Sequence, residues 1–95
     1  MTTPIASNDP KAAMRKRLYW RANHRGIKEM DLLIGGFAEA RLATMTDQQL
    51  AEFEQILEIP DQTMLAWLVS QETVPDDQSS PLLHEILAFR PALTA

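Results

Sequence analysis

Apolar residues along this chain recur at intervals of three and four, and nowhere do they alternate with a period of two. The first spacing lines one face of an α-helix and the second would line a strand, so the pattern predicts an all-α protein. Five segments carry it. Met14, Leu18 and Ala22 step by four along the first, which Asp9-Pro10 opens. Aspartate is a favoured N-cap, and proline at the first helical position gives up only an N–H that has no partner there. This helix is predicted over residues 10–23. Ile27, Met30, Leu33, Ile34, Phe37 and Ala38 mark a second over 28–43, with Glu29 and Asp31 in the first turn, where the helix dipole favours carboxylates. Thr46 and Gln49 form a capping box for a third over 47–58, with Leu50, Phe53, Ile56 and Leu57 inward. Ile59-Pro60-Asp61 ends that helix and caps a fourth over 62–71, which carries Met64, Leu65, Trp67 and Leu68. A proline- and aspartate-rich loop follows over 73–80, and Ser80-Pro81 starts a fifth helix that ends before Pro91.

Glycine qualifies this picture at two places. Gly26 is predicted to take the left-handed conformation that closes the first helix, with Arg25 beside the negative end of the dipole. Gly35-Gly36 falls inside the second helix, where each glycine costs about 1 kcal/mol relative to alanine. Either another backbone packs closely there or the helix bends; close packing is the preferred reading. Short loops between such helices describe a compact five-helix antiparallel bundle, a single domain over residues 10–90. The ends, 1–9 and 91–95, are expected to be flexible.

Composition sets the scale of this bundle and removes some chemistry. At 95 residues the chain is one domain, and its 45% apolar and 23% charged content suits a folded core. With no cysteine, disulfides, thiolate zinc sites and cysteine nucleophiles are excluded together. Residues 1–9 carry neither a secretory h-region nor the arginines of a transit peptide, and no apolar run approaches the ~20 residues that span a bilayer. A cytoplasmic protein with no membrane insertion is expected.

The net charge of −4 is unevenly spread. Lys11, Arg15, Lys16, Arg17, Arg21, Arg25 and Lys28 crowd one stretch without an acid, while from Glu29 onward Arg41 and Arg90 face twelve acids. Arg17, Arg21 and Arg25 fall at i+4, a basic stripe on the first helix. That asymmetry fits oriented docking on a charged partner. It equally fits a basic helix face in water.

Catalysis finds little support. His24 and His84 are the only imidazoles, they lie at different helix ends, and no serine sits in a strand-turn-helix elbow. No metal-ligand spacing and no phosphate loop occurs, and Glu29 and Asp31, two apart, do not share a helix face. The expectation is no enzyme, no catalytic residue, no metal and no tightly bound cofactor. Two binding readings remain. The basic helix with Tyr19 and Trp20 could serve as a small nucleic-acid module, against which a pI near 5.0 and the acidic body argue. Alternatively, His24, Arg25, Gly26 and Glu29 form a corner that packing does not require, and a protein partner accounts for it more economically.

The run His24-Arg25-Gly26-Ile27-Lys28-Glu29-Met30-Asp31-Leu32-Leu33 resembles the Arg-Gly-x-x-Glu-x-Asp signature of the succinate dehydrogenase flavinylation (assembly) factors. Arg17 and Arg21 before it, Phe37 after it, and Ile59-Pro60-Asp61 leading to Trp67 extend the likeness over residues 14–90. Two features depart from it: Ile27 stands where many members carry methionine or threonine, and Tyr19-Trp20 does not match every branch, so no role passes to Trp20. The resemblance implies a monomeric five-helix chaperone. Such a factor binds the flavoprotein subunit of succinate dehydrogenase, with fumarate reductase a second candidate, and promotes covalent attachment of FAD to a histidine of that client. It also implies a partner-binding surface made of Arg17, Arg21, His24, Arg25, Gly26, Glu29 and Asp31, with FAD held by the partner.

Overall fold

The computed structural model describes residues 9–90; of the expected flexible ends, 1–9 and 91–95, all but Asp9 lie outside the described residues. Five α-helices form where the apolar period places them: α1 Ala12–Ala22, α2 Lys28–Arg41, α3 Asp47–Ile56, α4 Asp61–Leu68 and α5 Pro81–Ala88. No strand occurs among the described residues. Of the expected caps, Thr46 and Ser80 act as such, whereas Lys11 rather than Asp9 stands at the N-cap of α1 and Asp61 is the first residue of α4, with Pro60 at its N-cap. Thr46 accepts from the Gln49 N–H while the Gln49 side chain accepts from the Thr46 N–H, and Ser80 accepts from the Leu83 N–H with Pro81 behind it.

The packing order is not the chain order. α1 lies on α2, α2 on α5, α5 on α3 and α3 back on α1, so four helices close a ring. Leu18, Met30, Ile34, Phe37, Leu50, Phe53, Leu83 and Ile86 fill it. Phe37 stands at its centre, tilted against Phe53 at 6.3 Å between ring centroids and edge-on to Phe89 at 5.6 Å. α4 lies outside the ring and contributes Met64 and Trp67 to the core.

Several helix ends differ from the sequence expectation. α1 begins at Ala12 because Asp9 organises a turn ahead of it: its Oδ1 accepts from the Lys11 N–H at 2.8 Å and its carbonyl from the Ala12 N–H. α2 tightens into a 3-10 turn at Leu42–Thr44 instead of continuing, and a second 3-10 turn forms at Asp76–Gln78 in the expected loop. α4 ends three residues early. The Gln71 N–H bonds the Ala66 carbonyl and the Ser70 N–H that of Trp67, a Schellman closure with Ser70 left-handed at φ 62°. Since glycine adopts that conformation without the side-chain penalty, Ser70→Gly is expected to stabilise the fold by about 0.5–1 kcal/mol. A urea midpoint that stays put or falls would refute this.

Among the described residues, one polar side chain belongs to the core. Arg15, 8% exposed, donates from Nε to Asp9 Oδ2 at 2.5 Å and from Nη1 to the Leu42 carbonyl at 2.6 Å, fastening the start of α1 to the end of α2. The Lys11 N–H, and after it the Arg15 guanidinium, hold the Asp9 carboxyl below its ordinary value of 3.8. A lowered carboxylate stabilises the fold above the unfolded value and loses that contribution as pH falls through the folded one. Asp9→Asn is therefore expected to be less stable than the parent at neutral pH. The gap should close below pH 3.8, which chemical denaturation across pH would show.

Candidate functional site

The basic stripe of α1 meets an acidic row spaced at successive helical turns. Arg17 pairs with Glu54 at 3.2 Å, Arg21 pairs with Glu58, and Arg25, one further turn along, reaches Asp61. The first two rungs are largely solvated and worth at most about 1 kcal/mol each. The third is of another kind. Arg25, 9% exposed in its side chain, donates from Nε to Asp61 Oδ1 at 2.8 Å. Its Nη1 donates to the Leu57 carbonyl at 2.5 Å and its Nη2 to the Ile59 carbonyl at 2.6 Å. All three guanidinium nitrogens are thus spent on the turn between α3 and α4, where the last carbonyls of α3 need donors.

This corrects the expectation that packing does not require the corner. Arg25 ties it to the α3–α4 turn, and Asp31 ties it to α2, since Asp31 Oδ1 accepts from the Arg25 N–H at 2.6 Å. The charge asymmetry has the same answer: the stripe's guanidiniums are engaged inside the molecule. They do not form a row of free cations for phosphates.

Gly26 has the expected positive φ, at 98°, but it does not close α1. That helix ends at Asn23, and Gly26 turns the chain into α2. A β-carbon on it would meet nothing within 4 Å. Its conformation, not crowding, demands glycine. Gly35 is the opposite case. A β-carbon there would overlap the Asn23 carboxamide, whose Nδ2 donates to the Tyr19 carbonyl at 2.9 Å. Close packing of α1 on α2 therefore accounts for it.

Of the remaining predicted residues, Glu29 is exposed on the first turn of α2, without an ion-pair partner among the described residues. His24 is exposed beyond the end of α1, where its Nδ1–H donates to the Trp20 carbonyl at 2.7 Å. Its ring stacks on Trp20 with centroids 4.0 Å apart and planes 11° from parallel. The structure thus gathers Arg21, His24, Arg25 and Gly26 at one end of α1, opens Glu29 to solvent and puts Asp31 to structural use.

Sequence reasoning missed Asp61, Glu54 and Glu58 as partners of the stripe, and it left Trp20 without a role. A cleft runs between the end of α1 and the α3–α4 turn, lined by Trp20, Arg21 and His24 on one side and by Glu58, Ile59 and Pro60 on the other. Among the described residues no group of three or more His, Asp or Glu could hold a metal ion, and no helix is long and apolar enough to cross a membrane.

Residues 16–90, which include the whole corner and the α3–α4 turn that holds it, match the family described as "Flavinator of succinate dehydrogenase". The chain belongs to this family. It is similar to proteins from bacteria and from eukaryotes. It is 44% identical to the FAD assembly factor SdhE of Acetobacter pasteurianus over 81 residues, 85% of this chain and 74% of that protein. It is 32% identical over 84 residues to the mitochondrial succinate dehydrogenase assembly factor 2 of Schizosaccharomyces pombe, covering 87% of this chain and 60% of the relative. With the factor of the same name from Dictyostelium discoideum it shares 31% over 70 residues, 74% of this chain and 50% of the other. The chain therefore spans half to three fifths of the length of these mitochondrial relatives.

Proposed function

We propose that this flavinator binds the flavoprotein subunit of succinate dehydrogenase and promotes covalent attachment of FAD to it. Membership of the family across residues 16–90 carries the reading. The geometry supports a binding role: a corner fixed from behind by Arg25 and Asp31 presents His24, Gly26 and Glu29 outward. A surface held in place before the partner arrives loses little entropy on docking. Arg17 and Arg21, on the solvated side of the stripe, extend that surface, whereas Arg25 and Asp31 serve it from inside.

On this reading the reacting groups and the FAD belong to the client. Covalent attachment needs a client histidine positioned against the flavin and negative charge stabilised on the ring. A helper need only favour the client conformation in which those conditions are met. It works in the cytoplasm, one copy per client. Co-expression of the flavoprotein subunit with and without this chain tests the proposal. Covalent flavin fluorescence on a denaturing gel is expected to rise several-fold with it, and equal signal in both lanes would refute the function.

A further inference from the structure

We infer that the cleft between α1 and the α3–α4 turn is part of the docking surface, and that it receives an arginine side chain of the flavoprotein subunit between Trp20 and Glu58. The inference rests on the proposed function and adds to it a second wall, beside the Gly26 corner, with a defined chemistry.

Trp20 is the first observation. At 61% exposure it is the most exposed large apolar side chain among the described residues, although Trp67 shows that this fold can bury a tryptophan. Nor is the ring loose. His24 covers one of its faces, and the His24 Nδ1–H is bonded to the carbonyl of Trp20 itself. One indole face is therefore held open in a fixed place, at little entropic cost to a ligand that stacks on it.

Charge decides what stacks there. The basic groups of the cleft are already committed: Arg25 is spent on Asp61 and two carbonyls, and Arg21 is paired with Glu58. Glu58 uses one oxygen, Oε2, for that pair, and its side chain remains 69% exposed. What the cleft offers is thus an aromatic face and a solvent-facing carboxylate oxygen with no protein donor among the described residues. A guanidinium answers both, stacking by its plane and donating in plane to carboxylate, which a lysine ammonium does less well.

The test labels this chain with fluorotryptophan, so that Trp20 and Trp67 give the only fluorine resonances, and titrates it with the unlabelled flavoprotein subunit expressed without flavin. The Trp20 resonance is expected to shift on binding while that of Trp67 stays in place. Trp20→Ala should weaken binding at least about tenfold. Glu58→Gln, which keeps the shape and removes the charge, should weaken it several-fold and reduce its salt dependence. An unmoved Trp20 resonance at saturation, or Trp20→Ala binding within twofold of the parent, overturns the inference while leaving the proposed function intact. Loss with Trp20→Ala but none with Glu58→Gln overturns the arginine. A Trp20 resonance that shifts with the chain's own concentration assigns the cleft to a second copy, and failure of the unsubstituted chain to bind the subunit refutes both readings.

Discussion

Replacing Arg25 with alanine is expected to remove roughly 3–5 kcal/mol of folding stability, the range found when one partner of a buried ion pair is deleted. The loss has three parts. Asp61, 14% exposed in its side chain, is left without its cation. The Leu57 and Ile59 carbonyls lose their donors where α3 ends. The corner keeps its backbone bond to Asp31 but loses the three side-chain ties to the α3–α4 turn. Domains of this size are stable by only about 5–15 kcal/mol, so such a change reaches a large share of the total. Arg25→Lys should recover only part of it, because one ammonium cannot reproduce a planar fork aimed at three acceptors. Urea denaturation at neutral pH decides the matter. A loss below about 1 kcal/mol for Arg25→Ala would mean that the pair behaves as a solvated one. Asp61→Ala supplies the control: if Arg25 matters through the clamp, both variants lose stability and client affinity together. If Arg25 touches the client directly, only its own removal affects binding beyond its effect on folding.

The contrast between Arg25 and Thr46 shows what a sequence makes legible. The Thr46 box is local: donor and acceptor lie three residues apart, and the spacing alone predicts both hydrogen bonds. Arg25 finds its acceptors 32 to 36 residues away, across a pairing of α1 with the α3–α4 turn that no local pattern specifies. A trace of the contact was present. Arg17, Arg21 and Arg25 step by four, and Glu54, Glu58 and Asp61 step by four and then three, as two facing helical edges would. Reading the rows as a zipper required knowing that these helices meet. Arg15 left a plainer signal, since it falls at the i−3 and i−7 positions of the Leu18–Ala22 apolar face and so points inward. The tight contact at Gly35 was legible because a glycine inside a helix costs stability unless something needs the space; the identity of its neighbour, Asn23, was not.

At Gly26 the fold and the proposed function can be separated by experiment. Gly26→Ala and Gly26→Arg are expected to lose the same stability, about 1–2 kcal/mol, and to differ sharply in client binding. The shared loss follows from φ of 98°, where any L-residue is strained whatever its size. The equality is expected from the open space beside the backbone: with nothing within 4 Å of a β-carbon, a longer side chain leaves the turn without a clash at its root. The difference arises only when a partner approaches that space. Gly26→Ala should then bind the flavoprotein subunit within about tenfold of the parent, because the backbone strain is its main defect. Gly26→Arg should bind it beyond detection, because its side chain stands between the two surfaces. Thermal or urea unfolding gives the first comparison and titration calorimetry with the subunit the second. If the two variants bind alike, Gly26 shapes the turn and the client docks elsewhere; if Gly26→Arg unfolds much more readily than Gly26→Ala, the space beside Gly26 is not open.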